Sequence, residues 1–317
     1  DLRFRKGVLM SYLQLFIVAL MWSFVGVMVK SASGMVSSSV ITLCRFLFGC
    51  GFLVLFLGSQ RLFKKQSQPL RLFWKDKWVW IGVAGKSCNY IFENLAISLG
   101  HAYTNVIVWP VQAIFLTFVA VLVLGEEMDF QKAGAVILCV IGVLLVSWKG
   151  LPLSQFFGAN LTPTIFVIFS AIGSGVHLIS QKKLIGYLDS VNLNFSVFFL
   201  SSLLMAIPLP WTFKFTGTVY PWALISLAGL GIVTGASFYL YAEALKKVPF
   251  LVATIITNSC VLFTLLWSYL FFKDKINGYI IIGVVILLAG LIIINLPKEF
   301  VATLGWKQGK QKGTESL

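Results

Sequence analysis

The sequence predicts an all-α integral membrane protein whose ten transmembrane helices form two inverted five-helix repeats. Three observations carry that prediction. Of 317 residues, 58% are apolar and only 11% charged, with a mean hydropathy of +0.91. A water-facing globular surface needs about 25% charged residues, so little of this chain meets water. Apolar runs of about 20 residues recur along it, the length that crosses a bilayer as helix, and they are continuous rather than alternating, which favours helices over a barrel. The Lys and Arg residues also gather on alternate connections.

The runs are 8–29, 36–58, 78–100, 102–124, 131–148, 162–180, 190–210, 221–243, 248–271 and 277–296. The first follows a basic flank, "RFRK", as a signal peptide would, but it is too long for an h-region and reads as a retained span. The longest connection, 59–77, contains "QRLFKKQSQPLRLFWKDK" and reads as a basic amphipathic stretch on the membrane surface. With the first end inside, 18 of the 25 Lys and Arg residues are cytoplasmic. Lys30, Lys149, Lys214, Lys273 and Lys275 are outside, and Arg45 and Lys86 remain within spans. This positive-inside bias predicts both termini in the cytoplasm and a multi-pass protein of the cytoplasmic (inner or plasma) membrane. Basic loops facing an anionic leaflet explain the net charge of +14, so no nucleic-acid partner is needed. The five cysteines all fall inside spans with no metal-ligand or disulfide spacing.

The halves resemble each other. Shifting 96–146 by 148 positions lays it on 244–294, so that Ala96 meets Ala244, Phe115 meets Phe263, Leu122 meets Leu270 and Gly142 meets Gly290. The turn "LGEEM" (124–128) falls on "FKDKI" (272–276). Five spans per half put the second half into the membrane from the opposite side. The divisions are 1–148, 149–300 and a basic cytoplasmic tail, 301–317. Inverted repeats are the architecture of carriers, with the site at their interface near the midplane.

The stretches "ALMWSFVGVMVK" (19–30), "CRFLFG" (44–49), "ENLAISLGHAYTNVIVWPVQAIFLTFVAVLVLGEEM" (93–128) and "YAEALKKVPFLVATIITNSCVLFTLLWSYLFFKDKI" (241–276) resemble EamA-like proteins of the drug/metabolite transporter superfamily. The resemblance covers residues 8–296. It implies a ten-helix carrier of amino acids or other small metabolites, and it leaves the substrate open. One departure is "TNSC" (257–260), where the family usually has a proline. There Asn258 aligns with Pro110 and is a candidate site residue or a neutral change.

The third run carries "KSCNYIFEN" (86–94). A charge at mid-bilayer costs roughly 2.5–3.5 kcal/mol, so Lys86 has to face the bundle interior or a cavity. Lys86, Asn89, Tyr90, Glu93 and Asn94 share one helical face, a polar stripe expected to bind substrate. Seven residues rise about 10.5 Å, too far for Lys86 and Glu93 to pair directly. Arg45 lies at the depth of Glu93, about 9–12 Å from the outer side. Two readings stand for Glu93: a structural ion pair with Arg45, or a ligand for substrate. Lys86 has no acidic partner nearby in the sequence, which favours a ligand role. The 148-residue shift maps the stripe onto Thr234, Ser237, Phe238 and Tyr241, a neutral wall opposite a charged one.

Further candidates are Trp22, Trp109, Gln112 and His177, which shares a face with Ser174. The competing readings are packing for the tryptophans, a kink at Pro110 beside Trp109, and an interhelical donor for His177. Glu243 beside Lys246 and Lys247 reads as an interfacial pair. Catalysis is not expected: HExxH, GxSxG and phosphate-binding glycine loops are all missing from the sequence. No cofactor or metal is expected. A channel would need pore-lining rings, usually from several subunits. The partners expected are a small-molecule substrate and the lipid bilayer, with the chain a monomer or homodimer. A carboxylate on Lys86 and an amino end on Glu93 or the aromatics suit an amino acid, or an S-adenosylmethionine-like or nucleoside-derived metabolite, moved by alternating access. The alternatives are a channel or a drug exporter, and a midplane lysine repels hydrophobic cations.

Overall fold

The structure, a computed structural model, describes residues 2–64, 69–124, 127–216 and 218–296. The tail 301–317 and residues 125–126 of the "LGEEM" turn lie outside the described residues. The described residues form no strand, only an isolated bridge between Val36 and Phe215. The helices are α1 (Leu2–Ser23), α2 (Val25–Ser33), α3 (Ser38–Lys64), α4 (Lys77–Leu99), α5 (Val108–Leu124), α6 (Phe130–Trp148), α7 (Leu161–Leu184), α8 (Ser190–Ala206), α9 (Pro221–Leu245), α10 (Phe250–Asn258), α11 (Cys260–Phe272) and α12 (Gly278–Asn295).

Among the described residues, eight helical segments are long and apolar enough to cross a membrane. Two of the ten sequence runs fall outside that set. α4 has the length, 23 residues, but carries the polar stripe, and α8 has only 17 residues. The first run breaks at Phe24 into α1 and α2, and the ninth breaks at Ser259 into α10 and α11. The 59–77 connection also departs from expectation. Its first residues extend α3, and residues 69–73 form no helix. There the Arg71 N–H donates to Asn192 Oδ1 at 2.8 Å and the Phe73 N–H to Ser196 Oγ at 3.1 Å, so the strap is tied to α8.

Helix starts follow from capping residues that satisfy N–H groups left over in the first turn. Asp76, Asp129, Asp189 and Asn277 each accept backbone N–H bonds at the starts of α4, α6, α8 and α12. α6 and α11 end on residues in the left-handed region, Lys149 (φ 58°) and Lys273 (φ 54°). Pro110 stands in the first turn of α5, after a 3-10 turn over Thr104–Ile107. Its missing N–H costs nothing there, so it makes no mid-helix kink.

α4 packs antiparallel on α7, α6 antiparallel on α12, and α3 parallel to α9. Small residues make these crossings close. A Cβ on Gly85 would lie 2.6 Å from the His177 backbone nitrogen and 2.8 Å from the Gly173 carbonyl oxygen, so α4 and α7 touch backbone to backbone. Gly142 and Gly283 do the same for α6 and α12.

The connections gather at two ends. At one, Lys30 Nζ donates to the Ser98 and Gly100 carbonyls, the Ser37 N–H to the Lys214 carbonyl, and Asn277 to the Lys149 carbonyl. At the other, Tyr187 donates to Asp76 at 2.6 Å and Gln131 to the Ile293 and Leu296 carbonyls. For brevity these are the Asp274 end and the Asp76 end.

Candidate functional site

Between the helices lies a cavity of about 300 Å³. Its walls come from α1 to α7, α9, α10 and α12, so both halves of the chain contribute. Trp22, Arg45, Lys86, Asn89, Tyr90, Glu93, Trp109, Gln112, His177, Tyr241 and Asn258 all line it. Asn94, which shares the α4 face, does not. It is fully buried behind the wall, accepting from Arg45 Nη1 at 2.9 Å and donating to Thr42 Oγ1 at 2.8 Å. It is a brace for Arg45, because its position on the stripe turns it toward α3.

Arg45 Nη1 lies 2.9 Å from Glu93 Oε2, both side chains being buried. The guanidinium carbon also sits 3.5 Å from the centre of the Tyr90 ring, against which Phe46 stacks. Lys86 is only 3% exposed. Its Nζ donates to Asn89 Oδ1 at 3.1 Å and lies 4.2 Å and 4.0 Å from the ring centres of Tyr90 and Phe238. Aromatic faces attract the ammonium, but no salt bridge reaches it among the described residues. Asn89 is fixed in turn by donating to Ser170 Oγ at 2.9 Å.

Opposite, α9 presents the residues that the 148-residue shift pairs with the stripe. The Tyr90 and Thr234 hydroxyls are 3.3 Å apart, and Ser237 Oγ accepts from Trp22 Nε1 at 2.8 Å. Trp22 stacks on Trp109 at 5.1 Å and tilts against Phe238 and Tyr241. Position 90 thus faces 234 and position 86 faces 238, which makes α4 and α9 antiparallel.

Gln112 and Ser174 hydrogen-bond to each other across the cavity at 2.5 Å, one turn from His177. His177 is 2% exposed and edge-on to Phe238. The Gly82 carbonyl lies near its ring, yet neither ring nitrogen makes a hydrogen bond of acceptable geometry. The Gly82 carbonyl belongs to α4, so it is the contact an interhelical donor role, one sequence reading of this residue, would use. Glu243 lies outside the cavity and pairs with Lys246 at 2.5 Å.

The lining continues toward the Asp76 end as far as Lys132 and Asn295. Sequence reasoning missed these two, along with Asn105, Thr117, Gln181 and Thr257; Lys132, Asn295 and Thr117 have no polar stripe around them, whereas Gln181 extends the face of Ser174 and His177 and could have been found there. Toward the Asp274 end the lining stops near Asn105. Beyond it the chain is closed by contact, since a Cβ on Gly26 would meet the Ala102 carbonyl at 1.9 Å. Asp274 ties this cap together, accepting from the Ala102 N–H at 3.2 Å and from Ser268, with His101 Nδ1 at 2.9 Å. Burial alone would raise the Asp274 carboxyl, but those bonds outweigh it and hold the group below the ordinary carboxylate range. Lys149 near the same cap is lowered to about 8 by burial, against the opposing pull of Asp274.

A helical membrane protein with a charged central cavity closed at one end is the class these features define. The comparisons make it specific. The model of the EamA-like transporter family matches residues 9–148 and again 161–296. The chain therefore belongs to the EamA-like transporter family, and each half carries one copy of the family's unit. A solved structure titled only "Crystal structure of protein", one of 26 matching chains, is similar over 90% of this chain and 96% of its own, with a TM-score of 0.62 and 16% identity. At that identity the likeness concerns the fold. No curated protein matches the chain.

Proposed function

We propose that the chain is a secondary carrier for a small polar metabolite bearing a carboxylate, such as an amino acid or an amino-acid- or nucleoside-derived compound. It works by alternating access between two inverted five-helix repeats, 1–148 and 149–300. Both termini are cytoplasmic, and ten spans include α4 and α8. The observation that carries this reading is the cavity itself. It lies between the halves, holds a buried lysine without an acidic partner, and is capped at one end while its lining reaches the other. The antiparallel facing of α4 and α9 supports the inversion, since repeat-related helices must then run oppositely. The basic connections gather at the Asp76 end, which supports placing that end in the cytoplasm. The cavity is then in its inward-facing state.

In this reading Lys86 receives the carboxylate and Arg45 orients Glu93. The Trp22–Trp109 stack with Tyr241 covers the rest of the substrate. Purified protein in liposomes tests it. Saturable uptake of carboxylate metabolites, lost in Lys86→Ala while the variant keeps its melting temperature, is the expected result. Flux at conductive rates would mean a channel, and unchanged uptake by Lys86→Ala would remove the lysine from the site.

A further inference from the structure

The charges lining the cavity do not balance. Glu93 is the one carboxylate among its described lining residues, and Arg45 engages it. Lys86 lies away from that pair, dehydrated between two aromatic rings, with only the neutral Asn89 as hydrogen-bond partner. The groups facing Lys86 from the packed elements are Arg45 on α3, Glu93 on α4, His177 on α7, and Thr234 and Phe238 on α9, and none supplies a free negative charge. A second observation points into the same space. The His177 ring is buried, lines the cavity and makes no hydrogen bond of acceptable geometry, with only the Gly82 carbonyl near it. A buried polar ring left so is normally satisfied by something, here the occupant of the cavity.

We propose that the cargo carries a net charge of minus one, its anionic group seated between Lys86 and His177, and that this charge is what lets the cavity close. The proposal rests on the carrier reading above and narrows its substrate class. A zwitterion brings no net charge and leaves Lys86 uncompensated, and a net cation adds to the excess. An anion makes the closed cavity neutral. Closing it empty would strand a dehydrated cation with no counter-charge, the costliest kind of buried group. The carrier therefore crosses faster loaded than empty, and it exchanges one anion for another.

The test uses the full chain in liposomes and three amino acids, methionine, phenylalanine and glutamine. Each is supplied as the N-acetyl acid (net −1), the free zwitterion (0) and the methyl ester (+1). On at least one scaffold the N-acetyl acid should bind about tenfold or more tighter than its zwitterion, the range of one hydrogen bond to a charged group. The same compound loaded inside should accelerate uptake from outside by about tenfold. Lys86→Met should erase the charge preference, and His177→Ala should weaken anion binding severalfold with Lys86 still present. Tighter binding or faster movement of zwitterions or esters would overturn the proposal and leave the carrier intact. Uptake that runs as fast into empty liposomes, rising with pH, would also overturn it, since Lys86 would then cross by shedding its proton. No binding and no flux of any compound would overturn both readings.

Discussion

α4 and α9 are related by the 148-residue shift and face each other across the cavity, yet they are chemically unlike. α4 presents Lys86, Asn89, Tyr90 and Glu93, and α9 presents Thr234, Ser237, Phe238 and Tyr241. The charged wall has to be braced, and its supports come from elsewhere: Arg45 and Asn94 for Glu93, Asn89 and Ser170 for Lys86. The neutral wall needs only single hydroxyl bonds, Ser237 to Trp22 and Thr234 to Tyr90. A charge in a low-dielectric interior is expensive unless paired, and a hydroxyl is satisfied by one partner. Two walls of similar shape can thus divide the work, one setting charge preference and the other providing a surface.

The comparison makes its largest prediction at the Arg45–Glu93 pair. Glu93→Gln leaves Arg45 buried among neutral amide oxygens with no counter-charge, so the folded protein should lose about 3–5 kcal/mol, seen as a marked fall in melting temperature in detergent. Exchanging the two charges, Arg45→Glu with Glu93→Arg, should restore part of that loss. Unchanged melting of Glu93→Gln would mean that the charged wall needs no brace.

A smaller effect should separate the backs of the two helices. Gly85 meets the α7 backbone, which cannot step aside, whereas a Cβ on Gly229 meets only the flexible end of Met28 at 3.2 Å. Gly85→Ala should cost about 1–3 kcal/mol and Gly229→Ala close to nothing. Equal melting of the two variants would break the assignment of the tight crossing to α4.

On the neutral wall, Thr234→Val and Ser237→Ala should each cost about 1 kcal/mol, the net worth of one hydrogen bond. Neither should change the preference for cargo charge, which binding measurements across charge states would show. A shift in that preference would move the charge-reading role onto α9.

The Asp274 cap gives the smallest change over ordinary pH. Its carboxyl is held below the ordinary range in the folded state. Its contribution is thus fully present above the unfolded value, about 4, and is lost only as the pH falls through the lower folded value. Melting of wild type and Asp274→Asn should differ by a constant amount from pH 7 to about 5, and the difference should shrink only in stronger acid.

A good part of the site was legible in advance because a bilayer makes polar residues conspicuous. The stripe on α4 stood out from its apolar background, and counting helical rise placed Arg45 at the depth of Glu93. The repeat shift mapped the stripe onto Thr234, Ser237, Phe238 and Tyr241, and the antiparallel run of α9 then brings Thr234 to Tyr90 and Phe238 to Lys86. The single-residue polar contributions of α5, α6 and α12, such as Thr117, Lys132 and Asn295, were not legible, because one polar residue on an apolar helix has no periodic pattern around it.

By itself the sequence determined the helical class, the two matching halves and the buried charge, since length, hydropathy and helical period are properties of the chain alone. Only the tertiary structure decided which stripe residues face the cavity. Asn94 shares the face of Glu93 but is spent on Arg45 and Thr42. His177 shares a face of α7 with Ser174, and the Gly85–Gly173 crossing buries it beside the cavity with no hydrogen bond of acceptable geometry. Those outcomes depend on how closely neighbouring backbones approach, and that distance is set by pairs of residues far apart in the chain.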